Sequence, residues 1–197
     1  LRAFAVPKGP VFAFNLRTRE QYSDYCWFEG AFSREEVGRI LDLAAAAPVE
    51  AGTVGLDHAI DGGIRRSVVR WLYPAGDSTW LFGRLTDLLW NCNEVRYGFD
   101  LSGLIEGLQV SEYGPGGFYG WHKDHGNGRH SIRKLSLTLQ LSEPDEYEGG
   151  AMEFLCAPNV ASVPRGLGTA VVFPSYVMHR VQPVTSGVRR SLVAWVS

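Results

Sequence analysis

The chain has 197 residues, with 19 Lys and Arg against 21 Asp and Glu for a formal net charge of −2, and 45% of it is hydrophobic. A balance this close to neutral, without a basic cluster, lacks the electrostatic footprint of sequence-independent nucleic-acid binding. No apolar run is long enough to span a bilayer, and the start at Leu1 shows neither a basic n-region nor an apolar h-region. Neither a nucleic acid nor a membrane is therefore expected as a partner. A chain of this length buries roughly 70% of its unfolded surface, so it needs no disulfide or structural metal merely to fold. Three cysteines, Cys26, Cys92 and Cys156, are widely spaced without a CxxC pair and read as buried thiols of a reducing, cytoplasmic compartment.

In chain order, Val37, Ile40, Leu41, Ala44 and Ala47 form an i, i+3, i+4, i+7 stripe, which predicts an amphipathic helix over Ser33 to Ala47. Ser33 caps its first turn, Glu36 reaches back to the cap amide, and Pro48 ends the run. A strand pair is expected at Thr53 to His58 and Ser67 to Tyr73, joined by a turn or mobile loop over Ala59 to Arg66 that contains Asp61, Gly62 and Gly63. A second helix from Ser78 to Asn93 places Leu81, Leu85, Leu88 and Leu89 on one side, and its polar end, Asn91 to Glu94, leads into a loop. Thereafter the pattern is strand-like: Gly107 to Tyr113, Lys134 to Leu141, Ala151 to Leu155, Thr169 to Pro174 and Ser191 to Val196. Two helices followed by many short strands give an α+β, mainly β chain. The expected fold is a β-sandwich or jelly roll whose N-terminal helices pack on one sheet. It reads as one domain over 1–197, with a helical and strand support over 1–103 and a catalytic core over 104–197.

His122 and Asp124 stand two apart in Tyr-Gly-Trp-His-Lys-Asp, and on an extended strand such positions point to the same side. A third candidate, His179, follows the apolar stretch Ala170 to Pro174. Two imidazoles and a carboxylate on one side of a metal leave the opposite positions open, as in non-haem Fe(II) oxygenases. The same donors suit Zn²⁺, and a histidine also serves as a hydrogen-bonded core residue, so spacing alone leaves these readings open. Arg189 and Ser191 alternate with Arg190 and Leu192, so a guanidinium fork and a hydroxyl face one way from one strand. That pair suits the distal carboxylate of a dicarboxylic cosubstrate, which also supplies the anion that an inward Arg requires. Arg190 faces the other way and fits a surface ion pair.

The segment Gln109-Val-Ser-Glu-Tyr-Gly-Pro-Gly-Gly-Phe-Tyr-Gly-Trp-His-Lys-Asp124, with His179 and Arg189 beyond it, resembles the Fe(II)/2-oxoglutarate-dependent dioxygenases, in particular their prolyl-4-hydroxylase-like branch. Leu141-Ser-Glu-Pro-Asp-Glu-Tyr-Glu-Gly-Gly150 is similar to the bacterial PKHD-type hydroxylases of that branch. The resemblance covers Leu104 to Val196 and extends only loosely to the N-terminal half. It implies a double-stranded β-helix in which His122, Asp124 and His179 hold Fe(II). Arg189 and Ser191 would take the distal carboxylate of 2-oxoglutarate, with the Tyr113 phenol on the same group. The implied activity is O₂-dependent hydroxylation of an amino-acid side chain, a prolyl residue in a peptide or protein first among them. Succinate and CO₂ are released, and ascorbate is a further cofactor of such enzymes. Animal collagen-type enzymes have Lys where this chain has Arg189, so a collagen-like substrate is not implied, and a free amino acid stays open as substrate. Asp124 is present where halogenating members have a small residue, which favours hydroxylation.

Trp71, Trp121 and Trp195 are candidate cavity walls, although aromatic side chains serve first as core. His125 and His130 read as solvated loop residues, Asp145 to Glu148 as an acidic turn, and Gly114 to Gly117 as a turn without phosphate-loop spacing. Arg65, Arg66 and Arg70 lie at the expected loop, where a substrate lid would sit. A zinc-dependent hydrolase and a non-catalytic jelly-roll binding module are the alternatives to the oxygenase. Nothing in the sequence sets the oligomeric state.

Overall fold

The computed structural model describes residues 23–53, 61–156 and 158–197. After β1 (Cys26–Phe28), α1 spans Arg34–Ala45, with Ser33 in extended conformation as its N-cap. The Glu36 amide donates to Ser33 Oγ at 3.2 Å and the Ser33 amide donates to Glu36 Oε2 at 2.8 Å, the reciprocal box that the sequence predicts. β2 (Glu50–Ala51), β3 (Arg65–Arg66) and β4 (Val68–Leu72) precede α2 (Thr79–Cys92). The predicted loop after α2 is instead a π-helical turn over Asn93–Tyr97, closed by Gly98 at φ +67. The Asn93 side chain accounts for the difference: it accepts from the Phe99 amide and donates to the Phe99 carbonyl, both at 2.8 Å, which prolongs the coil.

The remaining strands are β5 (Leu108–Tyr113), β6 (Phe118–His122), β7 (Leu135–Gln140), β8 (Tyr147–Gly149), β9 (Met152–Cys156) and β10 (Asn159–Ser162). They are followed by β11 (Ala170–Pro174), β12 (His179–Val181), β13 (Val184–Gly187) and β14 (Arg189–Val196). A seven-stranded sheet has the order β1-β11-β7-β14-β5-β4-β2; a five-stranded sheet has the order β10-β9-β12-β6-β3, and β13 pairs with β8. The fold is the expected jelly roll.

Three expectations change. The strand predicted at Thr53 to His58 falls outside the described residues except for Thr53, which lies in a loop, and the partner of β4 on that side is β2. Arg65 and Arg66, expected in a mobile loop, pair with Tyr119 and Phe118 of β6. The acidic turn at Asp145 to Glu148 contains the start of β8, because Tyr147 is buried and packs with Tyr113, Val181 and Val184.

Alternation along the large sheet divides its two faces. Leu108, Val110, Leu135, Leu137, Leu139, Ala170, Val172, Leu192 and Ala194 point outward and pack with Ile40, Leu81, Leu85 and Leu89 of the helices. Their neighbours Gln109, Ser111, Tyr113, Thr138, Gln140, Arg189 and Ser191 point between the sheets. A face this polar, buried, requires either internal hydrogen bonds or a ligand. Leu139 is fully buried at the centre of the outward layer. Leu139→Ala should cost about 3 kcal/mol through lost transfer and a residual cavity, read as a lower urea midpoint with an unchanged slope.

Candidate metal centre

His122 ends β6 and His179 opens β12; the two strands are paired so that His122 lies opposite His179. Asp124, just beyond β6, completes the group. His122 Nε2 is 3.7 Å from Asp124 Oδ1, His179 Nε2 is 3.7 Å from Asp124 Oδ2, and the three ligand atoms lie within 4.8 Å of one another. Each histidine donates its Nδ1 hydrogen to a carbonyl two residues earlier, His122 to Gly120 at 2.8 Å and His179 to Val177 at 2.9 Å. That bond selects the tautomer whose Nε2 lone pair faces Asp124. Burial, with the neighbouring His179 adding to it, pulls the His122 imidazole down to about 3, so it is a neutral donor at pH 7. Burial alone would raise Asp124, yet the two imidazoles, His179 first, hold its carboxyl below the usual range and keep it anionic. Asp124 Oδ2 is buried without a hydrogen-bond partner. Two imidazole Nε2 atoms and one unpartnered carboxylate oxygen are the donor set of a divalent cation.

The rings are held by stacking. Tyr119 lies on His122 with centroids 3.5 Å apart, and Phe173 meets His179 edge-on at 4.6 Å. Burial raises the Tyr119 phenol to about 12, so it stays neutral. The cluster opens into a cavity of about 420 Å³ between the sheets. Arg189 lies in its wall with 1% exposure. Its Nη1 donates to Ser191 Oγ at 3.2 Å and its Nη2 to Gln140 Oε1 at 3.1 Å, its Nε has no partner, and its guanidinium sits 5.5 Å from the Tyr113 ring centroid. Among the described residues these contacts are all neutral, so a buried positive charge faces the cavity without an anion. Trp71 and Trp195 form another wall, 6.1 Å apart.

The structure therefore brings together His122, Asp124 and His179, and separately Tyr113, Arg189 and Ser191, around one cavity. Trp121 does not line it: the side chain is exposed on the five-stranded sheet beneath Arg180. Arg190 pairs with Glu112 at 2.8 Å, the surface ion pair expected of it. His125 is exposed, whereas His130 reaches the cavity mouth. Arg65 is no lid residue; it is buried in the cavity wall, bonded to Ser67, Ser111 and the Thr53 carbonyl and stacked on Tyr119. Sequence reasoning missed Gln140, Tyr119 and the Arg133–Glu106 ion pair at the mouth. The polar alternation Ser136, Thr138, Gln140 between leucines is the signal that would have found Gln140.

Residues 108–197 match the model of the 2OG-Fe(II) oxygenase superfamily. That segment is similar to this superfamily over a little under half of the chain. A PKHD-type hydroxylase of Synechococcus sp. (strain CC9902) is 36% identical over 98 residues, covering 50% of this chain and 44% of its own length. One of Picosynechococcus sp. (strain ATCC 27264 / PCC 7002 / PR-6) is 43% identical over 94 residues, 47% of this chain and 42% of its own. The chain thus spans less than half the length of these curated relatives. Its fold is shared with a prolyl-4-hydroxylase of Pseudomonas putida at a TM-score of 0.70 and 21% identity, covering 88% of this chain and 91% of that one. It is shared likewise with a Trichoplax adhaerens prolyl hydroxylase, solved with a peptide fragment of the hypoxia inducible factor oxygen degradation domain. That likeness has a TM-score of 0.74 and 18% identity, over 88% and 83% of the two chains. The PKHD-type likeness accords with the motif ending in Gly149 and Gly150.

Gly150 has φ +60, and a Cβ there would lie 2.9 Å from Val184 Cγ2 and 3.1 Å from Arg189 Cδ. Gly150→Ala strains the backbone and presses on the arginine stem. It should lower stability by about 1–3 kcal/mol, readable by thermal unfolding against the wild type.

Proposed function

We propose that the chain is an Fe(II)- and 2-oxoglutarate-dependent dioxygenase that hydroxylates an amino-acid side chain, a prolyl residue of a peptide or protein first among the candidates. The observation that carries this is Arg189: a guanidinium buried in the cavity wall with only neutral partners, in the same cavity as the His122, Asp124 and His179 cluster. A dicarboxylate cosubstrate supplies the missing anion, which a zinc hydrolase site has no need of. The donor set fits the cation on the structure's own terms, with two Nε2 lone pairs and an unpartnered Oδ2 converging.

His122, Asp124 and His179 would hold Fe(II), which when bound supplies O₂ activation coupled to decarboxylation of 2-oxoglutarate to succinate and CO₂. Arg189 would bind the distal carboxylate through its fork, Ser191 would brace the fork and offer its hydroxyl, and the Tyr113 phenol would close the same end. Gln140 keeps Nη2 of the fork in plane. Trp71, Val193 and Trp195 present the apolar wall that keeps water from the reacting carbon. The mouth, with Lys123, Arg129 and the Arg133–Glu106 pair, is where the substrate would enter. Ascorbate belongs to this proposal as the reductant that returns oxidised iron to Fe(II). Three free thiols support a reducing, cytoplasmic setting, and no helix among the described residues is long and apolar enough to cross a membrane. Helices from 1–103 cover the sheet built mainly by 104–197, which supports treating both as one catalytic unit.

Anaerobic titration of Fe(II) with 2-oxoglutarate tests the reading. A weak visible charge-transfer band should appear. Arg189→Ala should retain iron but raise the 2-oxoglutarate Kd about 100-fold, the loss expected of a buried charge-assisted contact. His179→Ala should lose iron and band together. Iron binding without the band overturns the cosubstrate assignment. A product mass increase of one oxygen on proline-containing peptides, absent in Asp124→Ala, tests the hydroxylation.

A further inference from the structure

On the helix-covered side of the seven-stranded sheet, away from the cavity, two thiols meet that the proposed oxygenase does not use. Cys26 lies on the edge strand β1 opposite Val172, and Cys92 is the last residue of α2. Their Sγ atoms are 3.4 Å apart although the residues are separated by 66 positions. Tyr97, from the π-helical turn, directs its hydroxyl to the same point, 3.7 Å from Cys26 Sγ and 3.0 Å from the Val172 carbonyl oxygen. Cys26 is half-buried, and Cys92 lies in the wall of an open groove of about 440 Å³ with Phe28, Leu88, Asn91, Val95 and Arg96. Cys156, in the other sheet, is a free cysteine on β9.

We propose that Cys26 and Cys92 form a dithiol site that reduces hydroperoxides, with Cys26 as the attacking thiolate and Cys92 as the resolving thiol. In the first step Cys26 sulfur attacks one peroxide oxygen, a sulfur–oxygen bond forms, and the oxygen–oxygen bond breaks. The second oxygen leaves as alkoxide or hydroxide and takes a proton from water, leaving a sulfenic acid oxidised by two electrons. In the second step Cys92 sulfur attacks Cys26 sulfur and the sulfur–oxygen bond breaks. The hydroxyl leaves as water with the Cys92 proton, and a Cys26–Cys92 disulfide remains. A small dithiol, by exchange, supplies the two electrons that reopen it.

The geometry suits both steps. With Cys92 as donor its S–H points at the Cys26 sulfur, and the Tyr97 hydroxyl, which donates to the Val172 carbonyl at 3.0 Å, lies 3.7 Å from the same sulfur and can turn its hydrogen to it, which is how a protein stabilises a thiolate. Closing the sulfurs from 3.4 Å to a bond of about 2.05 Å is a displacement within reach of side-chain rotation. The hydrogen bond with Cys92 lowers the Cys26 thiol against the opposing effect of burial, helped by Tyr97 and the charge of Arg96. Cys92 is pushed up by the same bond and by burial, so it keeps the proton that the leaving hydroxyl needs. Cys92 on α2 and Arg96 and Tyr97 in the π-helical turn are the groups that act on Cys26 among the described residues, and β11 presents the Val172 carbonyl. Burial raises the Cys156 thiol, which makes it an internal control.

The test uses the reduced full chain with a chelator present, so that iron does not consume the oxidant. After brief exposure to hydrogen peroxide and quenching with an alkylating agent, non-reducing peptide mass spectrometry should show a Cys26–Cys92 disulfide. It should form at least about 10-fold faster than Cys156 is oxidised, with a rate that rises with pH at lower pH than oxidation of Cys156 does, as the thiolate fraction grows. Cys92→Ser should accumulate a dimedone-trappable sulfenic acid on Cys26, and dithiothreitol should reopen the wild-type bond. In wild type, the oxidised form should unfold about 5 °C or more above the reduced form, because the disulfide closes a long loop. Equal oxidation rates at Cys26 and Cys156 overturn the proposal. So does a Cys26–Cys92 bond already present in the purified protein that dithiothreitol does not open, since that is a structural staple. Neither result depends on whether iron or 2-oxoglutarate binds.

Discussion

A guanidinium buried without a carboxylate is the constraint around which the sheets are arranged. An isolated ionised group in a protein interior is so costly that it survives only if every N–H finds an acceptor or an anion arrives from outside. Arg189 has neutral acceptors in Ser191 and Gln140, a ring in Tyr113 and an Nε with no partner, so the described chain by itself leaves this charge without an anion. Its place explains the strand order. β14 lies between β7, which supplies Gln140, and β5, which supplies Tyr113, so three strands distant in sequence must be adjacent before the charge can be buried.

The same sheet does two incompatible jobs and separates them by its pleat. Residues with one parity are leucine, valine and alanine and bind the helices; residues with the other are Gln, Ser, Thr, Tyr and Arg and form the cavity. A slip of one residue would put the arginine among the helices and the leucines in the cavity, so register here is specified from both faces at once. The helices contribute no ligand-facing residue, and their role is to hold the outer face rigid.

Much of this was legible in the sequence because it is periodic or local. The helix stripe with Ser33 and Glu36, the strands from Leu108 onward and the HxD spacing are all set by residues within a few positions of one another. The joining of His122 to His179 was inferable only through resemblance, since spacing along the chain carries no distance in space. What escaped was short or non-local. β8, β12 and β13 are three or four residues long, too few for a period to register. Arg65 was read as a loop residue because glycines precede it, although sheet pairing overrides them. Cys26 and Cys92 looked unrelated because only the packing of an edge strand against a helix end brings them together.

The two imidazoles are each tied by Nδ1 to a carbonyl two residues back in the chain, Gly120 within β6 and Val177 in the bend before β12. A tie that local forms as the chain folds, before any cation or small molecule is present. The ring orientation is therefore an inheritance of chain folding rather than of loading, and the apoprotein should hold its donor atoms aimed. A cation of the proposed kind would then find its donors already oriented, with no rotation of either ring to be driven by its arrival.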